Sequence, residues 1–288
     1  MRSASLPAKP RGAAAESPWS PSRLVRAATV LHVLAAAALI VRPDLWAWVL
    51  GAIAATHGAM AALGMLPRNR LLGPNLNRLP GTSAARRDIA LTFDDGPDPL
   101  VTPRVLDILD AHGAKASFFC IGERVEAEPA LTREILRRGH SVENHSHTHP
   151  LGFALSLAGG FARELGAARE AIEKATGTSP VFFRAPMGLR NPLLDYAVHR
   201  AGLQYVSWTR RGFDGVDGNA DAVLGRLTRG LAAGDILLLH DGRCALSSNG
   251  EPVVTEVLPR LLEILAAEGL RPVSLPAACR SSSRAHHS

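Results

Sequence analysis

From residue 88 onward, short apolar runs alternate with longer stretches whose apolar residues recur every three or four positions. The runs fall at 88–94, 115–121, 140–144, 180–184, 203–208, 234–240 and 271–275. The helical patterns between them cover 101–112, 129–138, 160–176, 191–201, 219–233 and 253–268. Strand–helix alternation of this kind predicts a mostly parallel α/β sheet or barrel, whose sites lie at the carboxyl ends of the strands. Polar residues cluster at such ends: Asp94 and Asp95 after the first run, Asn144, His145 and His149 after the third, Arg184 after the fourth and His240 after the sixth. One pocket could gather them all.

The first 87 residues differ in character. Residues 1–23 are rich in Ala, Ser, Pro and Arg without an apolar period, the composition of a disordered basic leader. Two apolar stretches follow within 24–66, at 27–41 and 45–66, separated by Arg42-Pro43-Asp44. The second meets the ~20-residue length of a bilayer span, and the first meets it once Arg26 and Arg42 are allowed to snorkel. We expect a transmembrane helical hairpin, with a signal peptide or single anchor, or a pair of soluble helices, as the alternatives. His32 and His57 read as helix-face residues. Residues 67–87 are expected to be a linker, 88–278 the main folded domain and 279–288 a disordered tail.

Charge supports this division. Residues 1–90 carry 11 Lys/Arg against 3 Asp/Glu, and 91–288 carry 21 against 23. The main domain is therefore nearly neutral, which argues against nucleic acid as a partner. With basic residues before and after the hairpin and only Arg42 in its turn, the positive-inside rule puts the domain on the cytoplasmic side of a bacterial inner membrane; a single span would put it in the periplasm. The three cysteines, Cys120, Cys244 and Cys279, have no zinc-site spacing and no disulfide framework.

The chemistry lies in TFDDGP (92–97), ENHSHTHP (143–150) and LLH (238–240). His145 and His149 are four apart, so on a helical turn both would face one ion, with His147 directed elsewhere. A strand-end carboxylate completes a His2Asp set that suits zinc first, or cobalt, nickel or manganese, and leaves coordination positions open. Of the two adjacent aspartates, one can ligate while the other takes a proton from water acidified by the ion. His240, at the tip of an aliphatic strand, can donate a proton to a leaving group.

With RAPMG (184–188) and a Trp208…Asp214 segment, five motifs stand in order over 88–275. The chain resembles the NodB-homology polysaccharide deacetylases, carbohydrate esterase family 4. That resemblance implies a distorted (β/α) barrel and metal-dependent hydrolysis of an N-acetyl or other N-acyl group on an amino sugar. Asp94 resembles the catalytic base, Asp95, His145 and His149 the metal ligands, and His240 the general acid. Arg184 resembles the arginine that orients the base, and Asp214 the aspartate that tethers the arginine or the acid. A main-chain N–H at Met187, beside Pro186, would complete the oxyanion hole, and Trp208 and Leu238 would line the substrate site.

Two positions depart from the family pattern. Met187 stands where a tyrosine is usual, and Gly215 stands where a tryptophan usually follows the aspartate. Both point to an unusual substrate. Arg190, Arg210 and Arg211 suggest a phosphorylated or lipid-linked amino sugar, because arginine forks suit phosphate. The protein is expected to act as a monomer. A membrane-anchored carbohydrate-binding pseudoenzyme and a deformylase using the same machinery are the alternatives.

Overall fold

The computed structural model describes residues 18–280; the expected disordered leader and tail fall largely outside them. Helices α1 (Arg23–Val41) and α2 (Trp46–Gly64) form a hairpin. Each has 19 residues, about 28 Å at 1.5 Å per residue, close to the ~30 Å of a bilayer's hydrocarbon. Their outer faces are bare: Val33, Leu34, Ile40, Trp46, Trp48 and Leu50 are all exposed. These helices are long and apolar enough to cross a membrane or to serve as a signal.

The rest of the chain is a parallel α/β body. A short α3 (Gly81–Ala85) leads into β1 (Asp88–Asp94), α4 (Thr102–Ala111), β2 (Ser117–Cys120), α5 (Gly122–Ala127), α6 (Pro129–Arg137) and β3 (Ser141–Asn144). Next come α7 (Ala158–Thr176), β4 (Phe182–Phe183), α8 (Pro192–Arg200), β5 (Gln204–Tyr205) and β6 (Arg210–Arg211). The chain closes with α9 (Ala220–Thr228), β7 (Ile236–His240), α10 (Val253–Ala267), β8 (Arg271–Val273) and α11 (Leu275–Arg280). The strands run in the order β5-β4-β3-β2-β1-β7-β6, with β8 beside the start of β1 and every pairing parallel. This half-barrel is the expected fold class.

Burial explains the order. Every residue of β1 and β7 is buried, so the most apolar strands occupy the centre. Helix α10 turns Val253, Val257, Leu261 and Leu265 inward on an i, i+4 stripe and packs them near Phe93 and Phe118, whose rings stack at 5.1 Å.

The sequence reading differs from the structure in four places. Strand β6 is missed because it has two half-exposed arginines and no apolar run. Helix α5, which opens on Gly122, is missed as well. Helix α9 stops five residues short of 233, before Gly230 at φ 65°. Cys279 belongs to α11, where the tail was expected.

Residues 67–87 are packed against the body. The Leu76 N–H donates to the Tyr205 carbonyl at 3.0 Å, and the Ser207 N–H donates to the Leu76 carbonyl at 3.1 Å. This segment borders β5 beyond the last regular pair, and it carries buried Leu72, Asn75 and Leu79.

Candidate active site

Parallel register brings the polar strand ends together. Asp94 pairs with His240 across β1 and β7, and Asn144 pairs with Cys120 and Phe183 across the neighbouring strands. The chain then turns at Asp95, in the left-handed region at φ 71°, which an aspartate tolerates better than most residues. Consecutive side chains therefore leave the strand in different directions.

Asp94 Oδ1 accepts from Arg184 Nη1 at 2.6 Å. The arginine is fully buried, and its guanidinium also donates to Thr92 Oγ1 at 2.9 Å and to the Ser207 carbonyl at 3.1 Å. It lies 4.1 Å from the Phe119 ring centroid. A cation removed from water this completely needs a fixed counter-charge, and that need locks the Asp94 carboxylate in place.

Asp95 Oδ1 lies 3.3 Å from His145 Nε2 and 3.2 Å from His149 Nε2. The oxygen is buried without a hydrogen-bond partner among the described residues. His145 Nδ1 meets the Arg184 carbonyl at 2.9 Å, so that nitrogen carries the proton and Nε2 presents a lone pair toward Asp95. The donor atoms of this triad lie within 4.8 Å of one another, and their chemistry fits a divalent cation with positions left open.

The histidines converge without the helical turn expected from their spacing. Residues 145–150 form an irregular loop in which Ser146 and His149 have positive φ values of 64° and 52°. Glu164 of α7 pins it, accepting from the N–H groups of His147 and Thr148 and from the Thr148 hydroxyl, each at 2.9 Å. The Asn144 amide oxygen accepts from the Ser146 N–H at 3.0 Å. Local side-chain bonds thus aim both rings where helix periodicity would have aimed them.

On the opposite side, His240 Nδ1 donates to Asp214 Oδ1 at 2.8 Å, and its own N–H donates to Asp214 Oδ2 at 2.7 Å. Of the two partners open to Asp214, it is the histidine that it tethers. Burial alone would lower the imidazole pKa, but the Asp214 carboxylate outweighs it and raises the pKa to about 9. A Cβ at Gly215 would lie 3.6 Å from the imidazole, so a larger side chain there would pack against His240.

These groups face a cleft of about 70 Å³, also lined by Met187, Gly188, Trp208, Arg211 and Leu238. Met187 sits at the mouth with φ 56°. Pro186 is buried behind it and lies outside the lining.

The three candidate arginines part ways. Only Arg211 lines the cleft, 5.3 Å from the Trp208 ring and 4.7 Å from that of Phe213. Arg210 points away and is bound to Asp235 at 2.6 Å and to the Arg229 and Gly230 carbonyls. Arg190 is buried 4.7 Å from the Tyr205 ring and borders a different cavity. Adjacent residues on β6 must face opposite ways, and Asp235 claims Arg210.

Sequence reasoning missed Thr92, Glu164 and Asp241. Asp241 is fully buried, accepts from the Thr102 hydroxyl at 2.6 Å and abuts Gly96 of the DDGP turn. Its place directly after His240 was the available signal; Glu164 offered none.

A parallel half-barrel with an Asp/His2 triad, flanked by an arginine-held aspartate and an aspartate-held histidine, defines a hydrolytic site of the polysaccharide deacetylase kind. The chain belongs to the polysaccharide deacetylase family, whose profile matches residues 81–206. It is 34% identical over 189 residues to a peptidoglycan-N-acetylglucosamine deacetylase of Bacillus cereus, covering 65% of this chain and 85% of that one. It is 36% identical over 170 residues to a chitooligosaccharide deacetylase of Sinorhizobium fredii, covering 58% and 78%. A family 4 carbohydrate esterase from Streptomyces lividans superposes with a TM-score of 0.58 at 30% identity, over 64% of this chain and 91% of that one. A family 4 pseudoenzyme from Bacillus anthracis shares the fold at TM-score 0.63 and 24% identity, over 71% and 68%.

Proposed function

We propose that the protein is a membrane-anchored, metal-dependent N-deacetylase that hydrolyses the N-acetyl group of an amino sugar. The observation that carries this reading is the Asp94–His240 register pair, which brings a candidate base and a candidate acid to neighbouring strand ends beside the Asp95/His145/His149 triad.

Asp95, His145 and His149 would hold one divalent ion, zinc foremost. When bound, that ion supplies Lewis acidity, making water acidic and polarising the acyl carbonyl. Asp94, held in place by Arg184, accepts the proton of the attacking water. The Met187 N–H, at a residue that lines the cleft, would donate to the oxygen that gains charge during attack. His240, kept protonated by Asp214, delivers its proton to the departing amine. Proton acceptance and donation are thus divided between a carboxylate bound to an arginine and an imidazole bound to a carboxylate.

Arg211, with a buried Nε lacking a partner among the described residues, would contact an anionic substituent of the substrate. The bare hairpin faces and the exposed Trp46 and Trp48 beside its turn favour membrane insertion. The arginine distribution favours a cytoplasmic domain.

The test is acetate release from N-acetylglucosamine oligomers by the metal-loaded full chain, with N-formyl analogues alongside. Activity abolished by Asp94→Ala and by His240→Ala supports the assignment. Carbohydrate binding without release of acetate or formate would mark a pseudoenzyme instead.

A further inference from the structure

A second cavity, about 1000 Å³, opens between the base of the hairpin and the catalytic body. It sits at the upper end of the ~300–1,000 Å³ range of small-molecule sites. The hairpin contributes Ala28, Met60 and Ala61, and the body contributes Leu151, Leu155 and Leu193. A soluble protein gains nothing from leaving such a groove empty, nor from exposing Leu151 and Leu155 at 84% and 86% beside it.

The groove is joined to the catalytic cleft by two independent segments. His149 lines the cleft and Leu151 lines the groove; Gly188 lines the cleft and Leu189 lines the groove. One or two residues span ~4–7 Å, so the two spaces are neighbours along both walls. The groove's other wall is the hairpin, whose outer faces are those of a membrane segment.

We propose that this groove binds the hydrocarbon chain of a lipid-linked N-acyl amino sugar, holding the chain against the hairpin while the acyl group enters the cleft. This rests on the deacetylase reading and names its substrate class. The chain passes from the bilayer along α1 and α2, between the leucines of the 151–155 loop, and ends at Met187. There the small side of the cleft admits the acyl group, and the sugar remains at the mouth beside Arg211.

The probes are an alkyl N-acetylglucosaminide carrying a diazirine in its chain and a non-photoreactive alkyl analogue. They are used with the full-length, metal-loaded protein in nanodiscs. Photolabelling should map to Leu151, Leu155, Met60 and Ala61, and excess soluble N-acetylchitotetraose should diminish it by competing for the head site. The alkyl analogue should be turned over with kcat/KM at least ~10-fold above the tetramer, since each buried methylene adds to affinity. Ala61→Phe, which fills the groove, should lower that ratio.

Labelling spread over the outer faces of α1 and α2, or not displaced by the tetramer, overturns the proposal and marks the groove as filled by bulk lipid or by the chain's own amino-terminal residues. Equal kcat/KM for both substrates overturns it as well. Absence of acetate release from either substrate overturns the deacetylase reading, while competed labelling would still establish the groove.

Discussion

At the scale of single residues, the proposed mechanism gives the neighbouring carboxylates Asp94 and Asp95 separate duties. Asp94→Ala should leave bound metal near one equivalent while turnover falls by roughly 10²–10⁴, the usual worth of a general base. His145→Ala should lose the metal itself. Elemental analysis beside acetate release distinguishes them, and equal metal loss in both would refute the division. His240 gives a second handle: a general acid must be protonated, so activity declines as pH rises through its pKa. Asp214 raises that pKa to about 9, so Asp214→Asn should move the alkaline decline of kcat to lower pH. An unmoved limb would show that another group sets it. The sequence made Asp94, Asp95, His145, His149 and His240 legible, because each ends a strand run or stands in a motif. It could not separate Arg210 from Arg211, since their difference is which side of a two-residue strand each occupies.

At the scale of elements, turns rather than helices aim the Asp95/His145/His149 triad. Glu164 reaches the 147–148 backbone from α7, 16 and 17 positions along the chain, with no sequence signal to announce it. Glu164→Ala should weaken metal binding by roughly 10-fold, in the range of second-layer partners. A chelator competition that leaves affinity unchanged would show that the loop holds its shape unaided. The DDGP turn is braced from the other side: a Cβ on Gly96 would fall 2.2 Å from Asp241 Oδ2. Gly96→Ala should therefore destabilise the fold by about 1–3 kcal/mol, and Asp241→Ala in the same chain should recover part of the loss. Thermal unfolding of the four species of that cycle reads the coupling. All strands but β6 were legible as apolar runs, but their order and register were not, because these depend on contacts far apart in the chain.

At the scale of the whole molecule, buried ionisable groups tie stability to pH. His140 lies under β2 and β3, where its Nδ1 accepts from the Ala116 N–H at 3.2 Å, and burial lowers its pKa to about 4. The unfolded chain takes up that proton near pH 6.5, the folded chain only near 4. This contribution is complete above 6.5 and is lost as pH falls toward 4. His140→Asn should flatten the stability profile across that window in denaturant titrations, and an unchanged slope would assign the loss to other groups.

The Asp94–His240 register has a geometric consequence. Because the two side chains end neighbouring parallel strands, their side-by-side order is the strand order itself. On the proposed mechanism, the side that takes a proton and the side that gives one are then written in the main chain. Substitutions around the cleft would alter which sugar enters without exchanging the two.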